Sequence, residues 1–107
     1  MKLWIDDVRP APGKDYLWIK TVHMAKQVIE QVEEDFNIHH CRGAVIELID
    51  IDHDAGDFAS AGGDYIKLLD WLEETGRNYP IRIHSMNVVG VANMRAIIQR
   101  NGWTEVR

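Results

Sequence analysis

Short apolar segments alternate along this chain with longer segments of helical periodicity, and that alternation leaves few folds open. Lys2-Leu3-Trp4-Ile5 is apolar and then breaks into Asp6-Asp7-Val8-Arg9-Pro10. Pro10, Pro12 and Gly13 cannot extend it as a central strand. Residues 14–20, with Tyr16, Leu17, Trp18 and Ile19, read either as a short strand or as an irregular arm. Thr21 suits an N-cap, and Val22, Ala25, Ile29, Val32 and Phe36 follow at spacings of three and four, one face of an amphipathic helix. Residues 43–51 read as a second strand, rich in β-branched residues and opened by Gly43. Asp64 is then expected to cap a helix that turns Tyr65, Leu68, Leu69 and Leu72 inward and stops at Gly76. Pro80 to His84 forms a third strand. Asn87 caps a third helix with Val91, Met94, Ile97 and Ile98 as its stripe, and Trp103 to Val106 makes a last short strand. Trp4, Trp18, Trp71 and Trp103 read as core.

An order of β-α-β-α-β-α-β implies parallel strands joined by right-handed crossovers. The expected fold class is α/β: one domain over residues 1–107, with a small parallel sheet of about four strands and helices on both faces. In a parallel sheet the carboxyl ends of all strands share one edge, where ligands bind. That edge gathers Asp6-Asp7, Asp52-His53-Asp54 and His84-Ser85-Met86-Asn87. The stretch Asp50-Ile51-Asp52-His53-Asp54-Ala55-Gly56-Asp57 carries four carboxylates and an imidazole. It is expected to be the end of a strand and the start of a loop, too polar to continue into a core.

The formal net charge of −5 disfavours nonspecific binding along duplex DNA, which draws on many Lys and Arg contacts. Cys41 is the only cysteine, which excludes a disulfide framework and suits a reducing compartment. With His39 and His40 it offers too few ligands to be counted as a zinc site. No segment approaches the ~20 apolar residues of a membrane span, and the start shows no signal-peptide pattern. A cytoplasmic protein with no membrane partner is expected.

Crowded carboxylates need shared protons or a cation between them. Asp6, Asp7 and Asp52 are hard oxygen donors of the kind Mg²⁺ or Mn²⁺ takes, with substrate phosphate oxygens completing the shell. Solvated loop acids are the bland alternative. His84 and His53 are candidate acids or bases because an imidazole titrates near neutrality. Asp54 flanks His53. Arg9 could clamp a phosphate, Ser85 could hydrogen-bond one, and Asn87 could serve as helix cap, ligand or both.

An Asp-Asp pair after the first strand, an Asp after a middle strand and a Ser after a later one resemble the receiver domains of response regulators. Those carry a Lys after the last strand, and Trp103 to Arg107 holds none. The chain resembles more closely the cyclic-phosphate-processing receiver domains. Leu3-Trp4-Ile5-Asp6-Asp7-Val8-Arg9-Pro10, Ile51-Asp52-His53-Asp54-Ala55-Gly56 and His84-Ser85-Met86-Asn87, followed by Gly90 and Asn93-Met94, carry that likeness. Ala55 stands where the family has Leu. The resemblance implies an abbreviated receiver-like (flavodoxin-like) fold and a role in handling cyclic-phosphate RNA ends.

The leading expectation is thus a Mg²⁺-assisted phosphoester hydrolase acting on a small or terminal phosphate such as a 2′,3′-cyclic phosphate. Asp6, Asp7 and Asp52 hold the metal. His84, His53 and Asp54 serve the proton transfers, the sequence leaving open which imidazole is acid and which base. Arg9, Ser85 and Asn87 contact the substrate. A degenerate, non-enzymatic receiver that binds a phosphorylated ligand or a protein partner is the first rival. A scaffold with a merely solvated polar edge is the second.

Overall fold

The computed structural model describes residues 1–39 and 45–107. His40 and Cys41, of the His39-His40-Cys41 group judged too small for a zinc site, and the start of the 43–51 segment lie outside the described residues. Four strands form one parallel sheet: β1 (Lys2–Ile5), β2 (Tyr16–Ile19), β3 (Leu48–Ile51) and β4 (Ile81–Ile83), in the order β2-β1-β3-β4. Three helices connect them: α1 (Val22–His39), α2 (Ile66–Glu74) and α3 (Val88–Asn101). Residues 14–20 resolve as strand β2 rather than an arm. The last strand expected at Trp103 to Val106 is reduced to one parallel bridge, Ile81 to Glu105, beyond β4.

The strand order decides where each connection runs. β2 to β3, β3 to β4 and β4 to the Glu105 bridge all step across the sheet in one direction. Right-handed crossovers therefore put α1, α2 and α3 on the same face. The buried cluster agrees: Leu3, Ile5, Ile49, Ile51 and Ile81 from the sheet join Val22, Ala25 and Ile29 of α1, Leu68, Leu69 and Leu72 of α2, and Met94, Ile97 and Ile98 of α3. β1 to β2 steps the other way, so residues 6–15 cross the opposite face without a helix. There Trp4 Nε1 donates to the Arg9 carbonyl at 2.7 Å. Helices thus cover one face rather than the two expected. Between β1 and β3, connections part to opposite faces, which is the crevice where open sheets bind ligands.

Local chemistry sets the helix ends. Thr21 Oγ1 accepts the Met24 amide at 3.0 Å, and Asn87 Oδ1 accepts the Gly90 amide at 2.9 Å, both as caps. α2 ends with Arg77 N–H on the Leu72 carbonyl and Gly76 N–H on Glu73, a Schellman pair. Asp64 does not cap α2 with its side chain; its Oδ1 accepts the Ala55 amide at 2.9 Å and braces the loop after β3 instead.

Ion pairs add to the apolar packing between helices. Glu33 of α1 meets Arg77 at 2.8 Å, and Glu73 of α2 meets Arg100 of α3 at 2.7 Å. Burial pushes the Glu33 carboxyl up, but Arg77 and Tyr79 outweigh it and leave it below the ordinary value. Arg100 and then Asn101 hold Glu73 down at about 2. Both folded values lie below the unfolded 4.5, so the stabilisation is complete above that pH and is lost as pH falls toward 2. Melting temperature measured against pH should therefore hold level near neutrality and drop in this acid window. Glu73→Gln should flatten the drop.

Candidate active site

Two adjoining polar clusters occupy the carboxyl edge of the sheet. The first is built around His84, just past β4. Its Nδ1 lies 2.6 Å from Asp50 Oδ1 and its Nε2 2.9 Å from Asp6 Oδ2. Both carboxylates are fully buried. The ring stacks on Trp4 with centroids 3.8 Å apart and planes 2° from parallel. Each ring nitrogen thus has a carboxylate oxygen as its partner. Arg82 Nη1 donates to the other Asp50 oxygen at 3.1 Å.

Asp6 is equally committed. Its Oδ1 accepts the Val8 and Arg9 amides at 2.9 and 2.8 Å, which folds the chain sharply after β1. Burial raises its carboxyl, but the Arg9 and Val8 amides and His84 together hold it below the ordinary range. Asp7 and Asp52 lie beside it. One oxygen from each of Asp6, Asp7 and Asp52 falls within 4.8 Å of the others, a spacing that fits a metal ion. Burial, reinforced by the charges of Asp6 and Asp52, raises the Asp7 carboxyl. Gly56, at φ +56°, makes room for it: a Cβ there would sit 2.4 Å from Asp7 Oδ2.

The second cluster joins the loop after β3 to the start of α3. His53 Nδ1 lies 2.8 Å from Asp54 Oδ1, and Asn87 Nδ2 reaches both Asp54 oxygens at 3.3 and 3.4 Å. His53 holds the Asp54 carboxyl low; burial pushes it up less strongly, and Asn87 adds a smaller lowering. The His53 ring lies flush on α3, where a Cβ at Gly90 would come within 2.5 Å of it. Asp64 completes a second possible ligand group with His53 and Asp54. Asn87 is both helix cap and contact, as the sequence allows.

The structure therefore brings together Asp6, Asp7, Asp52 and His84 in one cluster, and His53, Asp54 and Asn87 in the other. Ser85 Oγ accepts the Asn87 amide at 3.1 Å and shapes the turn between β4 and α3. The Arg9 side chain is exposed and forms no ion pair with another described residue. His84 differs from its expected role: buried to 8% side-chain exposure, with both nitrogens on carboxylates, it has none free to protonate a leaving group. His53 Nε2 has no hydrogen-bond partner among the described residues.

Asp50 was not legible as a site residue. Instead of ending the strand, it lies inside β3, where its only signal is a carboxylate in an apolar run. Its burial is explained by Arg82 and His84, more than thirty positions away. The sequence model for the cyclic-phosphate processing receiver domain matches residues 1–100. No curated protein and no solved structure matches the chain.

Proposed function

We propose, for a chain that belongs to the cyclic-phosphate processing receiver domain family, that it hydrolyses a terminal phosphoester with a divalent cation, the substrate being a 2′,3′-cyclic phosphate at an RNA end. One observation carries this reading: the Asp6, Asp7 and Asp52 oxygens meet within 4.8 Å where the connections after β1 and β3 part. Three hard oxygen donors this close repel one another unless a cation lies between them, and Mg²⁺ suits such a set. The Cβ space left empty at Gly56 and filled by Asp7 fits the same role. Bound there, such a cation supplies Lewis-acid polarisation of a phosphoryl oxygen and a more acidic water.

The chain's own residues do the rest. Asp54 fixes the His53 ring through Nδ1, leaving Nε2 to take the proton from the attacking water. As the new P–O bond forms and the bond to the ribose 2′ oxygen breaks, that proton passes to the leaving oxygen. The Ser85 hydroxyl can donate to a phosphoryl oxygen, and Arg9 can reach one from the rim. His84 is a fastener in this reading: it holds Asp6 in place and takes no proton from the substrate.

The test is hydrolysis of an RNA oligonucleotide ending in a 2′,3′-cyclic phosphate, with Mg²⁺ and with chelator. Metal-dependent opening to a monophosphate is expected. Mg²⁺ binding without turnover would transfer the assignment to a phosphate-sensing regulator, and neither would leave a scaffold. A paired substitution probes the metal cradle apart from activity. Gly56→Ala and Gly76→Ala both place a side chain at positive φ, +56° and +69°, at a cost of roughly 1 kcal/mol or more. Only the first meets Asp7, for nothing lies within 4 Å of a Cβ at Gly76. Calorimetric titration should show Mg²⁺ affinity reduced on the order of tenfold or more in Gly56→Ala and unchanged in Gly76→Ala.

A further inference from the structure

Large apolar side chains left in water are ordinary when scattered, and informative when they gather. Among the described residues the four most exposed are Val8, Met86, Val88 and Val89, at 71, 85, 82 and 71%. All four lie on two of the three segments that carry the site, the loop after β1 and the turn from β4 into α3. The Val8 amide donates to Asp6, and Asp6 meets His84 at 2.9 Å; Met86 follows His84 by two residues. Along the chain, Val8 and Met86 thus each stand two residues from one end of the same hydrogen bond. Val88 and Val89 form the first turn of α3, directly after Asn87 and before the Gly90 that seats His53.

We infer that Val8, Met86, Val88 and Val89 form an apolar rim that holds the base of the substrate, so that the site takes a nucleotide rather than a bare phosphate or a sugar phosphate. This rests on the phosphoester reading above and gives it a specificity element. The extent of the rim selects this occupant. Four side chains fall far short of the roughly 800 Å² that each partner contributes to a stable protein interface, whereas one planar ring needs no more. The charges agree. Arg9, next to Val8 in the chain and without an ion pair among the described residues, can meet a phosphate, while the net charge of −5 opposes a long polyanion, leaving a terminal nucleotide as the fitting ligand.

The experiment titrates the Mg²⁺-supplemented protein with adenosine 3′-phosphate, with methyl riboside 3′-phosphate and with adenosine, following side-chain methyl resonances and affinity. Adenosine 3′-phosphate should bind on the order of tenfold more tightly than its base-free analogue and shift the Val8, Val88, Val89 and Met86 methyls. In a Met86→Ser/Val88→Ser double variant the two phosphates should bind alike, at the wild-type affinity of the base-free one. Both replaced side chains are exposed, so the melting temperature serves as a control for folding. Equal affinities in the wild type, or an equal loss of both ligands in the variant, would overturn the rim. So would a wild-type dimer in sedimentation that the variant abolishes, which would make the patch a protein contact. If adenosine moves the rim methyls while RNA hydrolysis fails, the rim stands and the hydrolase reading falls. If none of the three ligands binds, both fall.

Discussion

His84→Ala is expected to lower the unfolding free energy by about 3–5 kcal/mol, since it takes a shared hydrogen-bond partner from two buried carboxylates and a packed ring from the structure. The replacement leaves Asp6 and Asp50, both fully buried, facing the space of the lost ring, and it exposes one face of Trp4. Val8 and Arg9 amides still satisfy part of Asp6, and Arg82 still reaches Asp50, so the loss should stay below complete unfolding. Urea denaturation of the variant measures it. His23→Ala, on the exposed side of α1, supplies the comparison and should stay within about 0.5 kcal/mol of wild type. A His84→Ala protein as stable as the His23→Ala one would mean that the imidazole does not hold the two carboxylates together. A strongly destabilised variant would also make lost activity in His84→Ala uninformative about proton transfer.

Asp52→Asn should cut Mg²⁺-dependent hydrolysis of the cyclic-phosphate RNA by two orders of magnitude or more, since a metal ligand supports several kcal/mol of transition-state charge stabilisation. Asp52 is only half-buried, and its oxygen that accepts the His53 amide at 2.8 Å is retained in the amide, so the fold should survive. Asp57→Asn removes a carboxylate from the same loop at an exposed position outside the cluster and should leave turnover intact. Wild-type turnover in both variants would remove Asp52 from the reaction. Equal losses would instead mean that the loop's total charge matters and its geometry does not.

Much of the fold was legible because its signals are local. Thr21, Asn87 and Gly76 mark helix ends through bonds made within a few residues, and the stripes on α1, α2 and α3 need only regular spacing, although Phe36 at the end of the α1 stripe is exposed. β2 was ambiguous because four residues, Tyr16–Ile19, become a strand only by pairing with β1. Helices on both faces were expected because the strand order, which fixes the face of every crossover, is not written in the order of elements. For the site, gathering of the acidic and histidine motifs at one edge followed from parallel strands alone. The division of labour between His53 and His84 did not, since it depends on which imidazole lies between two buried acids. Asp64 shows the limit of a motif: its place before a helix suggests a cap, yet a better partner lay nine residues back at Ala55.

The hydrogen bond from His84 to Asp6 reaches past an intervening strand, for β3 lies between β1 and β4. Trp4, Asp6, Asp50, Arg82 and His84 consequently form one unit whose members answer for each other. Replacing them one at a time overstates what each contributes, because removing Asp6, Asp50, Arg82 or His84 leaves a polar partner unmatched and removing Trp4 uncovers the His84 ring. Joint replacement of Asp50 and His84 should cost less than the two single changes added together. For protein engineering, these five positions are one choice to be made together, and the two loops they anchor inherit whatever spacing that choice sets.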